Sequence, residues 1–322
     1  MQKLNFRNKA AGQLCGLFVL VGVIGTLCLT QRRVASQPVT ASKARAAAEL
    51  RREMTSIARA ARGPVGAAVL IVEGSSVVAL HGEQRFPMQS VYKLPIGMAV
   101  LHQVDLGKLR LNQQIQIKPS DLDPPSRYSP ITTKYPNGTE MTVSGLLDAM
   151  MSVSDCTASD VLLKIVGGPE HVTAYLRALG VQNIMVTTTE KAMAQGAQVQ
   201  YQNWATPIAM AGLLRALQQG KGLSASSRSL LLSLMVGSKS GMHQIKGLLP
   251  KGTLVAHKAG ASGTENGLTR ATNDVGLVTL PDGRHLAVVV FVSDTKADTM
   301  TREAVIAKIA RAAWDWQAGQ KS

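Results

Sequence analysis

Strand-forming runs gather near the two ends of this chain, and a long helical pattern separates them. VGAAVLIVEG (Val65 to Gly74) and SSVVALHG (Ser75 to Gly82) are joined at a Glu-Gly-Ser-Ser turn, as in a hairpin. After Gly247 come GTLVAHKAG, TNDVGLVTL and HLAVVVFVSD, the last two linked by Pro281-Asp282-Gly283. From about Phe86 to Gly247 the apolar spacing is helical, near Ser90 to Asp105, Thr142 to Met151, Thr157 to Val166, Glu170 to Leu179, Thr206 to Gln219 and Ala225 to Met235. Leu50, Met54, Ile57 and Ala61 mark an amphipathic helix before the first strand, and Val305, Ile309, Ala312 and Trp316 mark one after the last. Because strands from distant segments must pair to hide their edges, this order predicts an α+β fold. Its centre is a five-stranded antiparallel sheet built from both chain ends and flanked by the N- and C-terminal helices. Residues 42–85 and 249–322 form the α/β lobe, and 86–248 an inserted all-helical lobe.

Residues 1–36 stand apart. Lys3, Arg7 and Lys9 precede an uncharged run centred on LCGLFVLVGVIGTLCL, which reads as a signal peptide or an N-terminal anchor. The small residues Ala35 and Ser36 offer a cleavage site, and the segment predicts an exported, periplasmic protein, membrane-anchored if it is not cleaved. Lys and Arg number 35 against 20 Asp and Glu, a charge of +15. Five of those basic residues lie in the export segment, and the rest are scattered with few aromatics among them, so nucleic acid is not an expected partner. Cys15 and Cys28 also lie there, which leaves Cys156 alone in a mature chain, either an inert buried thiol or a reactive one. The six His show no ligand spacing, so neither a metal nor another cofactor is expected. A monomer is the expected state.

Three short strings carry chemistry. In Ser90-Val91-Tyr92-Lys93 a loop enters a helix, and three residues is nearly one turn, so Lys93 stands on the face of Ser90 and can take its hydroxyl proton. Ser154-Asp155 follows between two helical segments, and Lys258-Ala259-Gly260 lies on a predicted strand. Each string is weak alone.

In this order and at these separations the strings resemble those of serine β-lactamases and penicillin-binding proteins, and within that superfamily the chain looks like a class A β-lactamase from about Ser42 onward. FPMQSVYKLPI, YSP at Tyr128, TASDVLLKIVGGP and TNDVGLVTLPDG support this. VQYQNW (Val199 to Trp204) resembles the subgroup that includes extended-spectrum cephalosporinases. The resemblance implies an active site between the lobes that opens the amide of a small β-lactam substrate. Ser90 would be the acylated nucleophile, Lys93 its base, Ser154 the proton relay to the lactam nitrogen, and Glu190 the carboxylate that activates water on an Ω-shaped loop. Tyr128 would wall the cleft and Lys258 hold the substrate carboxylate, while Gly260 completes the third motif. The backbone N–H groups of Ser90 and Ala261 would form the oxyanion hole. A D,D-peptidase-like acyl-transferase and a non-catalytic homologue that binds β-lactams or peptidoglycan fragments are the alternatives.

Several positions depart from the family pattern. Cys156 stands where an Asn amide is usual, and Ala259 where a Thr or Ser hydroxyl is usual. The two positions for a carboxylate-binding Arg carry Gln244 and Thr272, with Arg270 nearby as a candidate replacement. Ala194 replaces an Asn of the Ω loop. Thr188 and Asn203 replace the Arg and Asp that usually pin that loop, which predicts a looser loop and weakened turnover.

Overall fold

A computed structural model describes residues 37–318. Residues 1–36, expected from the sequence to be an export signal or anchor, lie outside the described residues, and among the described ones no helix is long and apolar enough to cross a membrane. The main strands are β1 (Val65–Ile71), β2 (Val77–Leu80), β3 (Val255–Ala261), β4 (Leu268–Thr279) and β5 (His285–Thr295). They run antiparallel in the order β2-β1-β5-β4-β3, with Thr264–Glu265 added against the start of β4. The seam between the chain ends is β1 on β5, in register from Val65↔Val292 to Ile71↔Leu286.

Successive side chains of a strand point to opposite faces, and here each face feeds a different core. Ala68 and Leu70 of β1, Val275 and Leu277 of β4, and Val289 and Phe291 of β5 join the core shared with the inserted lobe. Ala67, Val69, Val288, Val290 and Val292 point the other way, onto Leu50 and Met54 of α1 (Gln37–Ala58) and onto Val305, Ile309 and Ala313 of the C-terminal helix. Double coverage explains why HLAVVVFV is apolar without alternation. Gly66 is required in β1 because a Cβ there would stand 2.2 Å from the ring of Phe86, which stacks on Phe291 at 5.8 Å.

The inserted lobe contains α2 (Lys93–Asp105), α3 (Val143–Ser152), α4 (Cys156–Ile165), α5 (Pro169–Ala178), α6 (Pro207–Gln218) and α7 (Ala225–Val236), and the chain closes with α8 (Thr299–Ala318). Polar side chains satisfy the free N–H groups at several starts: Thr142 accepts from Gly145 N, Asp155 from Ala158 N, Thr206 from Ala209 N and Ser224 from Ser227 N. One expectation needs correction, since the lobe is not purely helical. Gln114–Ile117 pairs with Thr139–Thr142, and Trp204–Ala205 bridges Phe86–Pro87 to Ile184–Met185. Pairings of two to four residues are too short to display a clear period in a sequence.

Candidate active site

Ser90 lies in a 3₁₀ turn, Gln89–Tyr92, that leads into α2 at Lys93. The preceding residue, Gln89, has φ 47°, a left-handed conformation that costs a side-chain-bearing residue about 1–3 kcal/mol. Its surroundings hold it there. Gln89 Nε2 donates to the side chain of Gln200, and the buried Asn273 of β4 donates to the carbonyls of Pro87 at 2.8 Å and Met88 at 3.1 Å. Gly260 of β3 packs directly under the turn: a Cβ would stand 2.8 Å from Met88 O and 2.9 Å from Ser90 N. Only glycine lets β3 approach so closely that the backbone of Ala261 and that of Ser90 border one space.

Asp155 organises the second motif. Its carboxylate accepts from Ser129 Oγ at 3.0 Å, Ile131 N at 2.8 Å and Ala158 N at 2.8 Å, so it both caps α4 and anchors the loop carrying Tyr128. Ser154, at φ 64°, is thereby held between two buried lysines. Lys93 Nζ donates to the Ser154 carbonyl at 2.7 Å and lies 3.4 Å from its hydroxyl, while Lys258 Nζ donates to that hydroxyl at 3.0 Å and to Ala259 O at 2.9 Å. Burial lowers the Lys93 pKa below the ordinary lysine range. Burial, and then the charge on Lys93, push Lys258 down to about 7. Lys93 follows Ser90 by about one turn, and its Nζ meets Ser154 and Glu190.

Glu190 is fully buried and opens a one-turn helix, Glu190–Met193, within the irregular stretch. One oxygen lies 3.1 Å from Lys93 Nζ, and the other accepts from Arg127. The turn that carries it is not loose. Asn203 accepts from the N–H groups of Thr187 and Thr188 at 2.8 and 3.0 Å and donates to Thr188 O at 3.0 Å. Asp160 of α4 accepts from the N–H groups of Glu190 at 2.8 Å and Lys191 at 3.0 Å, and Thr189 caps the turn. The looser loop expected from Thr188 and Asn203 is therefore corrected: a neutral carboxamide and a carboxylate from another helix replace the missing ion pair.

These groups border a cleft of about 410 Å³ lined by Ser90, Tyr128, Ser154, Cys156, Ala259, Gly260 and Ala261, with Lys93, Lys258 and Glu190 buried beside it. All ten residues singled out from the sequence thus converge on one place. Tyr128 is 63% exposed and stands as one wall. The buried Cys156 thiol lies 3.6 Å from Lys93 Nζ. Arg270 does not replace the missing arginine, because it pairs with Glu265 at 2.7 Å and does not line the cleft. Thr272 is occupied by Arg302, whose Nε donates to its hydroxyl at 2.9 Å. Sequence reasoning did not single out Arg127, Asp160, Asn273 and Gln200 for their roles. Each acts through a partner distant in the chain; the local signal is their place in or beside quoted strings, Asp160 in TASDVLLKIVGGP, Asn273 in TNDVGLVTLPDG, Gln200 in VQYQNW and Arg127 next to YSP.

A model of the β-lactamase enzyme family matches residues 49–317. The extended-spectrum β-lactamase PER-1 of Pseudomonas aeruginosa is 40% identical over 270 residues, covering 83% of this chain and 87% of its own. β-Lactamase VEB-1 of Pseudomonas aeruginosa is 38% identical over 266 residues, covering 82% and 89%. A crystal structure of a β-lactamase from Chitinophaga pinensis superposes with a TM-score of 0.81 at 46% identity, over 83% of this chain and 98% of that one. The fold, the ordered motifs around Ser90 and these similarities lead to one conclusion: the chain belongs to the β-lactamase enzyme family, in its class A branch.

Proposed function

We propose that this protein hydrolyses the amide of β-lactam antibiotics through an acyl-enzyme on Ser90, a resistance activity exerted outside the cytoplasm. The observation that carries this reading is the buried Glu190 carboxylate 3.1 Å from Lys93, one turn from Ser90. Burial favours the neutral Lys93 amine, which suits a base taking the Ser90 proton as oxygen attacks the lactam carbonyl. Backbone N–H groups of Ser90 and Ala261 donate hydrogen bonds to the developing oxyanion. Ser154, donor-bound by Lys258 and adjacent to Lys93, passes a proton to the departing lactam nitrogen, so the C–N bond breaks as the ester forms. Glu190 then removes a proton from water, which attacks the ester and releases Ser90.

Cys156 and Ala259 weaken this machinery without removing any reacting group. Each forfeits a hydrogen bond worth about 1.5–3 kcal/mol when made to a charged group. We infer reduced turnover rather than none. Residues 1–36 carry the export signal or anchor, and one chain supplies every residue lining the cleft, which suits a monomer.

The test is mixing purified protein with benzylpenicillin and a chromogenic cephalosporin while following absorbance and intact mass. Wild-type protein is expected to turn over, and Glu190→Gln to accumulate a covalent adduct on Ser90. A long-lived adduct on the wild type points instead to a D,D-peptidase-like acyl-transferase. Neither adduct nor turnover leaves a non-catalytic homologue.

A further inference from the structure

Glu303 belongs to none of the sequence motifs, yet it lines the cleft. It stands in the second turn of α8 and lines the cleft together with Gln244 and Gly241. Among the described residues its carboxylate has no ion-pair partner, and its neighbour Arg302 does not turn toward it. The Arg302 guanidinium donates to Thr272 Oγ1 at 2.9 Å, to Thr299 Oγ1 at 2.9 Å and to the Ala297 carbonyl, which fastens α8 to β4. Gln244, 4% exposed, leaves its side-chain oxygen without a donor. Arg127 is the other charged residue lining the cleft among the described ones, and it is bound to Glu190. Lys93 and Lys258 are buried beside the Ser90 part of the cleft, and the same cleft is lined by Glu303, a carboxylate without an ion-pair partner among the described residues, and by Gln244, an unfilled acceptor.

We propose that the Gln244–Glu303 part of the cleft is a subsite for a positively charged substituent of the substrate, the chemistry found in cephalosporins bearing a pyridinium or quaternary ammonium group at C3. This inference rests on the β-lactam reading above. A substrate with its carbonyl at Ser90 and Ala261 and its carboxylate toward Lys258 runs back along β3 to Ala259, where Gly241 and Gln244 pack, in the cleft that Glu303 also lines. A fixed anion there attracts a cation, and because the site is open the attraction is modest and screened by salt.

The experiment compares kcat/KM for cephaloridine and cephalothin, which share the thienylacetyl group and differ at C3 as pyridiniummethyl against acetoxymethyl. In the wild type the ratio favours the cation. Glu303→Gln is expected to lower that ratio roughly threefold, mainly through KM, and Glu303→Lys to lower it further. Raising the salt to about 0.5 M should shrink the wild-type ratio while leaving that of Glu303→Gln unmoved. A ratio that stays constant while both substrates change together overturns the subsite, since it shows Glu303 acting only on the carboxylate the two drugs share. If the wild type hydrolyses neither compound, the hydrolase reading fails first and takes the subsite with it.

Discussion

At the scale of single residues, the site sets two buried lysines against one serine hydroxyl. Bringing two ammonium groups out of water beside each other disfavours both charges, and Lys258 falls to about 7. Its positive charge is present below that value and lost above it. For an anionic β-lactam, kcat/KM is therefore expected to fall as pH rises through about 7. In Lys258→Arg the guanidinium stays charged across the range, so the descending limb should move to higher pH. Profiles from pH 5.5 to 9 decide this, and coincident limbs would mean that another group titrates. Gly260 makes the complementary point about space, because what matters there is the missing Cβ that lets strand backbone touch the turn carrying Ser90.

At the scale of elements, the turn carrying Glu190 is held by side chains from elsewhere. Asn203→Ala removes three hydrogen bonds, and the buried Thr188 amide it strands costs about 1–3 kcal/mol, the exposed Thr187 amide being left to water. Amide exchange over residues 187–191 is expected to accelerate. Deacylation should slow more than acylation, visible as a larger burst in stopped-flow turnover, because the role proposed for Glu190 lies in the second step and the Ser90 turn is braced separately by Asn273. Equal slowing of both steps, or unchanged exchange, would show that Asp160 and Thr189 suffice to hold the turn.

At the scale of the whole molecule, β1 on β5 joins the two ends of the chain, and α1 and α8 cover the outer face together. Neither end has a complete core alone. Met54→Ala, in the outer layer, is expected to destabilise by about 2–5 kcal/mol. It should shift one transition and create no second one. Trp204 reports from the inserted lobe's small ribbon and Trp314 from the outer core, so single-tryptophan variants followed by fluorescence in urea should give midpoints coincident with circular dichroism. Separate midpoints would show that the lobes unfold independently.

What the sequence determined by itself is what repeats or is local. The alternation of strand runs and helical stretches specified the five paired strands and their end helices, because period and burial are linked residue by residue. The ordered strings around Ser90, Ser154 and Lys258 marked residues that meet at one cleft, and VQYQNW set the register that singled out Glu190 beside them. The tertiary structure alone decided which substitutions matter. Asn203 reads as a lost ion pair until its carboxamide meets the backbone of Thr187 and Thr188. Arg270 reads as a replacement arginine until it pairs with Glu265. Arg127 and Glu303 enter the cleft from a loop and a helix that no spacing connects to Ser90. Hydrogen bonds and charges act over a few ångströms of space, and the chain brings those ångströms together only once it has folded.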